Sequence, residues 1–110
     1  MRLPNADRAK VDRVKITEYL LSTDHPDGRS KARFFAGFGF RIENWEVLAE
    51  ALRKHGASHS VVNTVESEYG TRYTIEGELE TPDGQRPRVR TVWMVKKGSE
   101  APRLITGYPC

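Results

Sequence analysis

Asp24-His25-Pro26-Asp27-Gly28-Arg29-Ser30-Lys31-Ala32-Arg33 gathers proton-transfer and cationic groups into one short stretch. A histidine on a loop stiffened by proline, close to Arg29 and Lys31 at the start of a helix, can move a proton beside a cationic phosphate site. Such equipment suits metal-independent phosphodiester cleavage. In that reaction a base takes the proton of a ribose 2′-hydroxyl, cations stabilise the crowded phosphorane-like charge, and an acid protonates the leaving oxygen. His25 and Lys31 are therefore candidate catalytic groups, and Arg29 and Arg33 candidate nucleic-acid contacts. The competing use of the same residues is structural: His25 ends one helix, Asp24 or Ser30 caps the next, and Lys31 and Arg33 are solvated.

Two segments further on could complete such a site. Residues 87–96 place Arg88, Arg90, Met94 and Lys96 at even positions and Val89, Thr91, Trp93 and Val95 at odd ones, so one strand face is basic at both ends. Arg88 and Arg90 could hold RNA phosphates through forked, charge-assisted bonds, or could pair with Glu76 and Glu78 of a neighbouring strand, the commoner use. Trp93 reads as core. In Arg103-Leu104-Ile105-Thr106-Gly107-Tyr108, Thr106 and Tyr108 share a face and offer two hydroxyls, with space left beside Gly107. The structural alternative is a half-buried strand whose tyrosine hydroxyl finds a partner within the protein. His55 reads as a partner for a helix C-terminus, and His59 opens the first strand as a second, less supported acid or base.

Most enzyme classes find no support in the sequence. Walker, GxGxxG, HExxH and GxSxG patterns are missing, the three histidines are scattered, and the single cysteine, Cys110, excludes a disulfide within one chain. No metal or cofactor is expected. The length suits one domain, 37% apolar residues suffice for one core, and the absence of a long apolar run argues against a signal peptide or membrane span. A soluble, cytoplasmic protein is expected. Lys and Arg exceed Asp and Glu by three, but the distribution is uneven: basic over residues 1–41, acidic over 42–85 and basic again over 86–110. A fold that joins the two ends creates a positive face suited to a phosphate-bearing partner.

The elements that must position these groups are legible in the hydrophobic periods. Ile16, Tyr19 and Leu20 mark a short amphipathic helix that Asp12 could cap. A second helix begins near Ser30 and ends at Gly37, with Phe34, Phe35 and Phe38 as core candidates. A third begins at Asn44, carries Trp45, Leu48, Ala49 and Leu52 on one face, and ends at Gly56. From residue 59 the period becomes two, and four strands follow over 59–68, 72–80, 87–96 and 103–108. Short connections make them an antiparallel meander. The fold class is α+β in a single domain 1–110: an extended segment 1–11, about three helices within 12–56, and a four-stranded antiparallel sheet over 59–108.

Leu3-Pro4-Asn5-Ala6, Tyr19-Leu20-Leu21, His25-Pro26 with Gly28-Arg29, Lys31-Ala32-Arg33-Phe34-Phe35, Pro82-Asp83-Gly84, Arg90-Thr91-Val92-Trp93 and Pro102-Arg103-Leu104-Ile105-Thr106 with Tyr108-Pro109 together resemble a family of small bacterial domains of unknown function. The order of helices and strands also resembles the barnase, EndoU, colicin and RelE-like superfamily of metal-independent RNases, common among bacterial toxins. That resemblance implies His25 as general acid or base, Lys31 and Arg90 as phosphate and transition-state stabilisers, and Thr91, Thr106 or Tyr108 as substrate-positioning groups. It also implies RNA as substrate and a small cognate antitoxin or immunity protein as partner. A non-catalytic binding module is the alternative, and an edge strand near the C-terminus leaves a homodimer by sheet extension open.

Overall fold

The change of hydrophobic period near residue 59 divides the computed structural model, which describes residues 1–110, into a helical layer and a sheet. Strands β1 (Val61–Ser67), β2 (Gly70–Glu78), β3 (Arg88–Lys96) and β4 (Arg103–Pro109) pair antiparallel in chain order. Helix α1 starts as Arg13–Lys15 and continues as a π turn over Ile16–Leu20; α2 spans Arg29–Gly37 and α3 Trp45–Ser58. The α+β expectation holds. No helix is long and apolar enough to cross a membrane.

Alternation along the strands turns one sheet face inward. Ile75, Val89, Trp93 and Leu104 of that face are buried, and Ile16 and Leu20 of α1, Phe35 of α2 and Leu48 and Leu52 of α3 pack into the same core. Each such side chain contributes about 1.5–3 kcal/mol by leaving water, so the helices are anchored to this face alone. On the other face Arg72, Glu78, Arg88 and Lys96 are exposed, while Thr74, Glu76, Arg90, Met94, Thr106 and Tyr108 are half-buried. This is an open face bordered by side chains, with the helices behind it.

The first eleven residues are ordered by the same core. Leu3, Ala9 and Val11 are buried, and the Lys10 N–H donates to the Pro102 carbonyl while the Leu104 N–H donates to that of Lys10. A short parallel bridge between Lys10 and Arg103 thus covers the start of the β4 edge. The opposite edge is different. Every residue of β1 is exposed or half-buried, with Val62 and Val65 outward and Tyr69 exposed at the turn.

Several local expectations are corrected. Asp12 and Asn44 make no side-chain cap bond; Asp12 instead pairs with Arg103 at 3.4 Å. Phe35 and Phe40 are buried, whereas Phe34 and Phe38 are half-buried and stack edge-on against each other. Helix α3 runs through Gly56 to Ser58, because that glycine serves packing: a Cβ there would lie 2.8 Å from Trp93 Cζ2.

A test of this last point sets two effects against each other. Alanine is the better helix former by about 1 kcal/mol, yet overpacking a closed core costs typically 1–3 kcal/mol. Gly56→Ala is expected to lower stability by about 1 kcal/mol, read as a lower urea midpoint with unchanged slope. A raised midpoint would mean that the indole shifts freely.

Candidate functional site at the sheet edge

The loop between α1 and α2 is closed by its own histidine. Asp27 and Gly28 both donate their backbone N–H to His25 Nδ1, at 3.1 and 3.2 Å. With Nδ1 accepting, the proton of the neutral ring sits on Nε2, which offers a donor rather than a free lone pair. Pro26 and Gly28 make the tight loop feasible: a Cβ on Gly28 would lie 2.3 Å from the Tyr19 carbonyl oxygen.

Tyr19 ties this loop to the sheet. Its ring meets His25 edge-on with centroids 4.9 Å apart, and Lys15 Nζ and Lys31 Nζ lie 5.2 and 5.4 Å from its ring centroid. Its hydroxyl is 3.4 Å from Thr106 Oγ1 on β4. Lys31 also donates to the Asp27 carbonyl at 3.2 Å, which holds its ammonium over the same loop. A cleft of about 650 Å³ results, lined by Lys15, Glu18, Tyr19, His25, Ile105 and Thr106 among others.

A second group continues from it across the open face. Tyr108 stands opposite Arg90, and Arg90 opposite Glu76. Arg90 Nε and Nη2 both reach Glu76 Oε2, at 2.9 and 2.7 Å, and Arg88 Nη2 lies 3.8 Å from Oε1. The guanidinium carbon of Arg90 is 5.6 Å from the Tyr108 ring centroid. Contact with the Tyr108 hydroxyl, and then with the Glu76 carboxylate, holds the pKa of Arg90 above its ordinary value. Glu76, Arg90 and Tyr108, with Val62, Asn63 and Thr74, line a hollow of about 500 Å³. Thr106 and Tyr108 are two residues apart on β4, so the two hollows lie roughly 7 Å apart along one strand face.

Not every expected group joins them. Thr91 is fully buried on the inner face, where its hydroxyl accepts from Trp93 Nε1 at 2.9 Å and meets His55 Nδ1 at 2.9 Å. Its position opposite Ile75 and Gly107 keeps it from any ligand on the open face, so it serves the core. His55 likewise is buried beneath the sheet, with Nε2 at 2.8 Å from the Val89 carbonyl and 3.1 Å from that of Gly77, rather than at an exposed helix end. Arg29 and Arg33 are exposed on α2, outside the cleft lining. Arg88 is exposed at the far end of the Glu76 cluster.

A family model described as a domain of unknown function, DUF6883, matches residues 2–110. The chain belongs to this family. Among curated proteins none matches the DUF6883 chain. Its fold is similar to a chain of a contact-dependent growth inhibition toxin–immunity protein complex from Klebsiella pneumoniae 342, with a TM-score of 0.71, 20% identity, and 94% of this chain and 95% of that chain covered. At that identity the likeness is one of fold.

Two residues of the candidate site, Tyr19 and Glu76, carry no mark in the sequence. Tyr19 falls at an apolar helical position and Glu76 reads as an ordinary cross-strand ion partner, so spacing marks neither. The signal for Tyr19 is conformational: it lies within the π turn Ile16–Leu20, a distortion frequent at functional sites. For Glu76 the signal is shelter, since its side chain is half-buried while Glu78 and Glu80 are exposed.

Proposed function

We propose that this DUF6883 domain is a metal-independent ribonuclease and the toxin member of a bacterial toxin–immunity pair. The observation that carries the reading is the meeting of His25 and Tyr19 with Thr106 at one edge of an open sheet face that also holds Arg90, Tyr108 and Glu76. The fold shared with a chain of a growth-inhibition toxin–immunity complex supports a role in such a pair.

In the reaction the ribose 2′-oxygen bonds to phosphorus and the bond to the 5′-oxygen breaks. In this reading Glu76, once the substrate phosphate draws Arg90 from it, takes the 2′-hydroxyl proton, and the Tyr19 hydroxyl protonates the departing oxygen. His25, with Nδ1 already accepting, donates Nε2–H to a non-bridging phosphate oxygen, while Lys31 and Arg90 supply positive charge. Thr106 and Tyr108 position the ribose or a base between the two hollows.

The direct test is incubation of pure protein with total RNA and a defined tRNA in EDTA, followed by end-group analysis. Strand scission leaving 2′,3′-cyclic phosphate ends is expected. Intact RNA, or ends carrying a 5′-phosphate, would overturn the mechanism.

A second reading, a module that binds a protein without catalysis, rests on β1. A strand exposed on both faces, whose backbone edge beyond the Val61 N–H bond to the Met1 carbonyl is open, with outward Val62 and Val65, is a template for strand addition. Induced expression in cells separates the two: a nuclease toxin arrests growth, and a binding module leaves it unchanged.

A further inference from the structure

A third hollow extends the open face beyond His25. Lys10, Met94, Lys96, Ser99, Ala101, Arg103 and Ile105 enclose about 140 Å³, and Ile105 also lines the His25 cleft. Its three cations come from separate elements. The backbone bridge to Arg103 fixes Lys10, Lys96 ends β3, and Arg103 opens β4 opposite Met94. Lys10 and Lys96 have no carboxylate partner, and Arg103 shares one exposed ion pair with Asp12 at 3.4 Å. Met94 and Ile105, both half-buried, add apolar side chains between these charges.

Solvated cations converging on one hollow repel each other; phosphates among them relieve that repulsion, and the counterions a polyanion sheds on binding add to the gain. The hollow is too small for a helix of nucleic acid, but it has room for a phosphate, with the apolar surface of Met94 and Ile105 beside the charges. From Arg103 to Tyr108 the strand runs roughly 16 Å, more than one phosphodiester linkage can reach.

We propose that Lys10, Lys96 and Arg103 form a phosphate subsite for single-stranded RNA outside the scissile linkage, so that the substrate is a strand of several unpaired nucleotides running along β4. The proposal rests on the ribonuclease reading for its substrate, but its test is a binding measurement that does not need catalysis.

The probe is a fluorescent single-stranded oligoribonucleotide, titrated between about 50 and 200 mM salt with the His25→Ala protein, with and without Lys10→Gln, Lys96→Gln and Arg103→Gln. Three lost phosphate contacts should make the slope of log affinity against log salt shallower by about 2. Arg53→Gln with Lys54→Gln, which also removes positive charge but on α3, should leave the slope unchanged. With His25 intact, the three substitutions should raise KM for the oligonucleotide and leave cleavage of a dinucleotide unaltered, as loss of uniform binding requires.

An unchanged slope in the triple variant, or an equal loss in the α3 variant, overturns the subsite even if RNA is cleaved. A slope that falls as expected while the wild type cleaves nothing upholds the subsite and removes the nuclease reading. Absence of RNA binding by every variant overturns both.

Discussion

Converting His25 to alanine is expected to lower RNA turnover by about 10²–10³-fold, the usual loss when one fixed donor to a developing oxyanion is removed. The size follows from how the ring is held. Two backbone N–H groups occupy Nδ1, so the Nε2 donor is oriented before substrate arrives and needs no reorganisation during reaction. Alanine also removes the acceptor that closes the loop, so a second variant separates the two roles. His25→Asn offers a side-chain oxygen close to the Nδ1 position but nothing at Nε2. It should keep the loop and the urea midpoint and still lose cleavage. Full activity in the asparagine variant would reduce His25 to a loop-closing residue.

The second large effect is on stability, and it belongs to His55. Burial, opposed by the Val89 carbonyl and reinforced by nearby His59 and Arg88, pushes its pKa from 6.5 down to about 4. The ring is neutral in the fold: Nε2–H donates to the Val89 and Gly77 carbonyls, and Nδ1 accepts from the Thr91 hydroxyl, which itself accepts from the Trp93 indole.

The unfolded chain therefore binds a proton that the folded chain refuses throughout the interval between these two values. A depressed histidine pKa leaves stability whole above about pH 6.5 and removes it progressively as pH falls toward 4. At 1.36 kcal/mol per unit, about 3 kcal/mol is lost by pH 4. Urea midpoints across that range, with the His55 ring followed by NMR, check this directly. A His55 ring that titrates near 6.5, or a midpoint flat across the interval, would contradict the buried network.

The catalytic candidates are marked in the sequence by local features alone. Pro26 and Gly28 mark the loop, alternation puts Thr106 with Tyr108 on one face of β4 and Arg88 with Arg90 on one face of β3, and the acidic residues of the neighbouring strand mark the Arg90 ion pair. Alternation already puts Thr91 on the apolar face with Val89 and Trp93, and only the resemblance draws it toward a ligand; what no period shows is which groups its hydroxyl meets. Its burial depends on the indole and imidazole that reach it from β3 and α3. Gly56 shows the same limit, since a glycine near the end of a helical pattern serves equally as a terminator or as clearance for a ring, and only the position of Trp93 decides.

By itself the sequence determined the class of the fold, the order and pairing of the strands, and the three segments that carry polar chemistry, because these follow from hydrophobic period and from connections too short for any other pairing. The tertiary structure decided which of those segments meet. His25 and Thr106 are far apart in the chain, and their approach depends on α1 packing against the edge of β4 so that Tyr19 spans the gap. Such long-range contacts are fixed by the shape of the whole core, where each side chain fills space left by many others, and no local period encodes that fit.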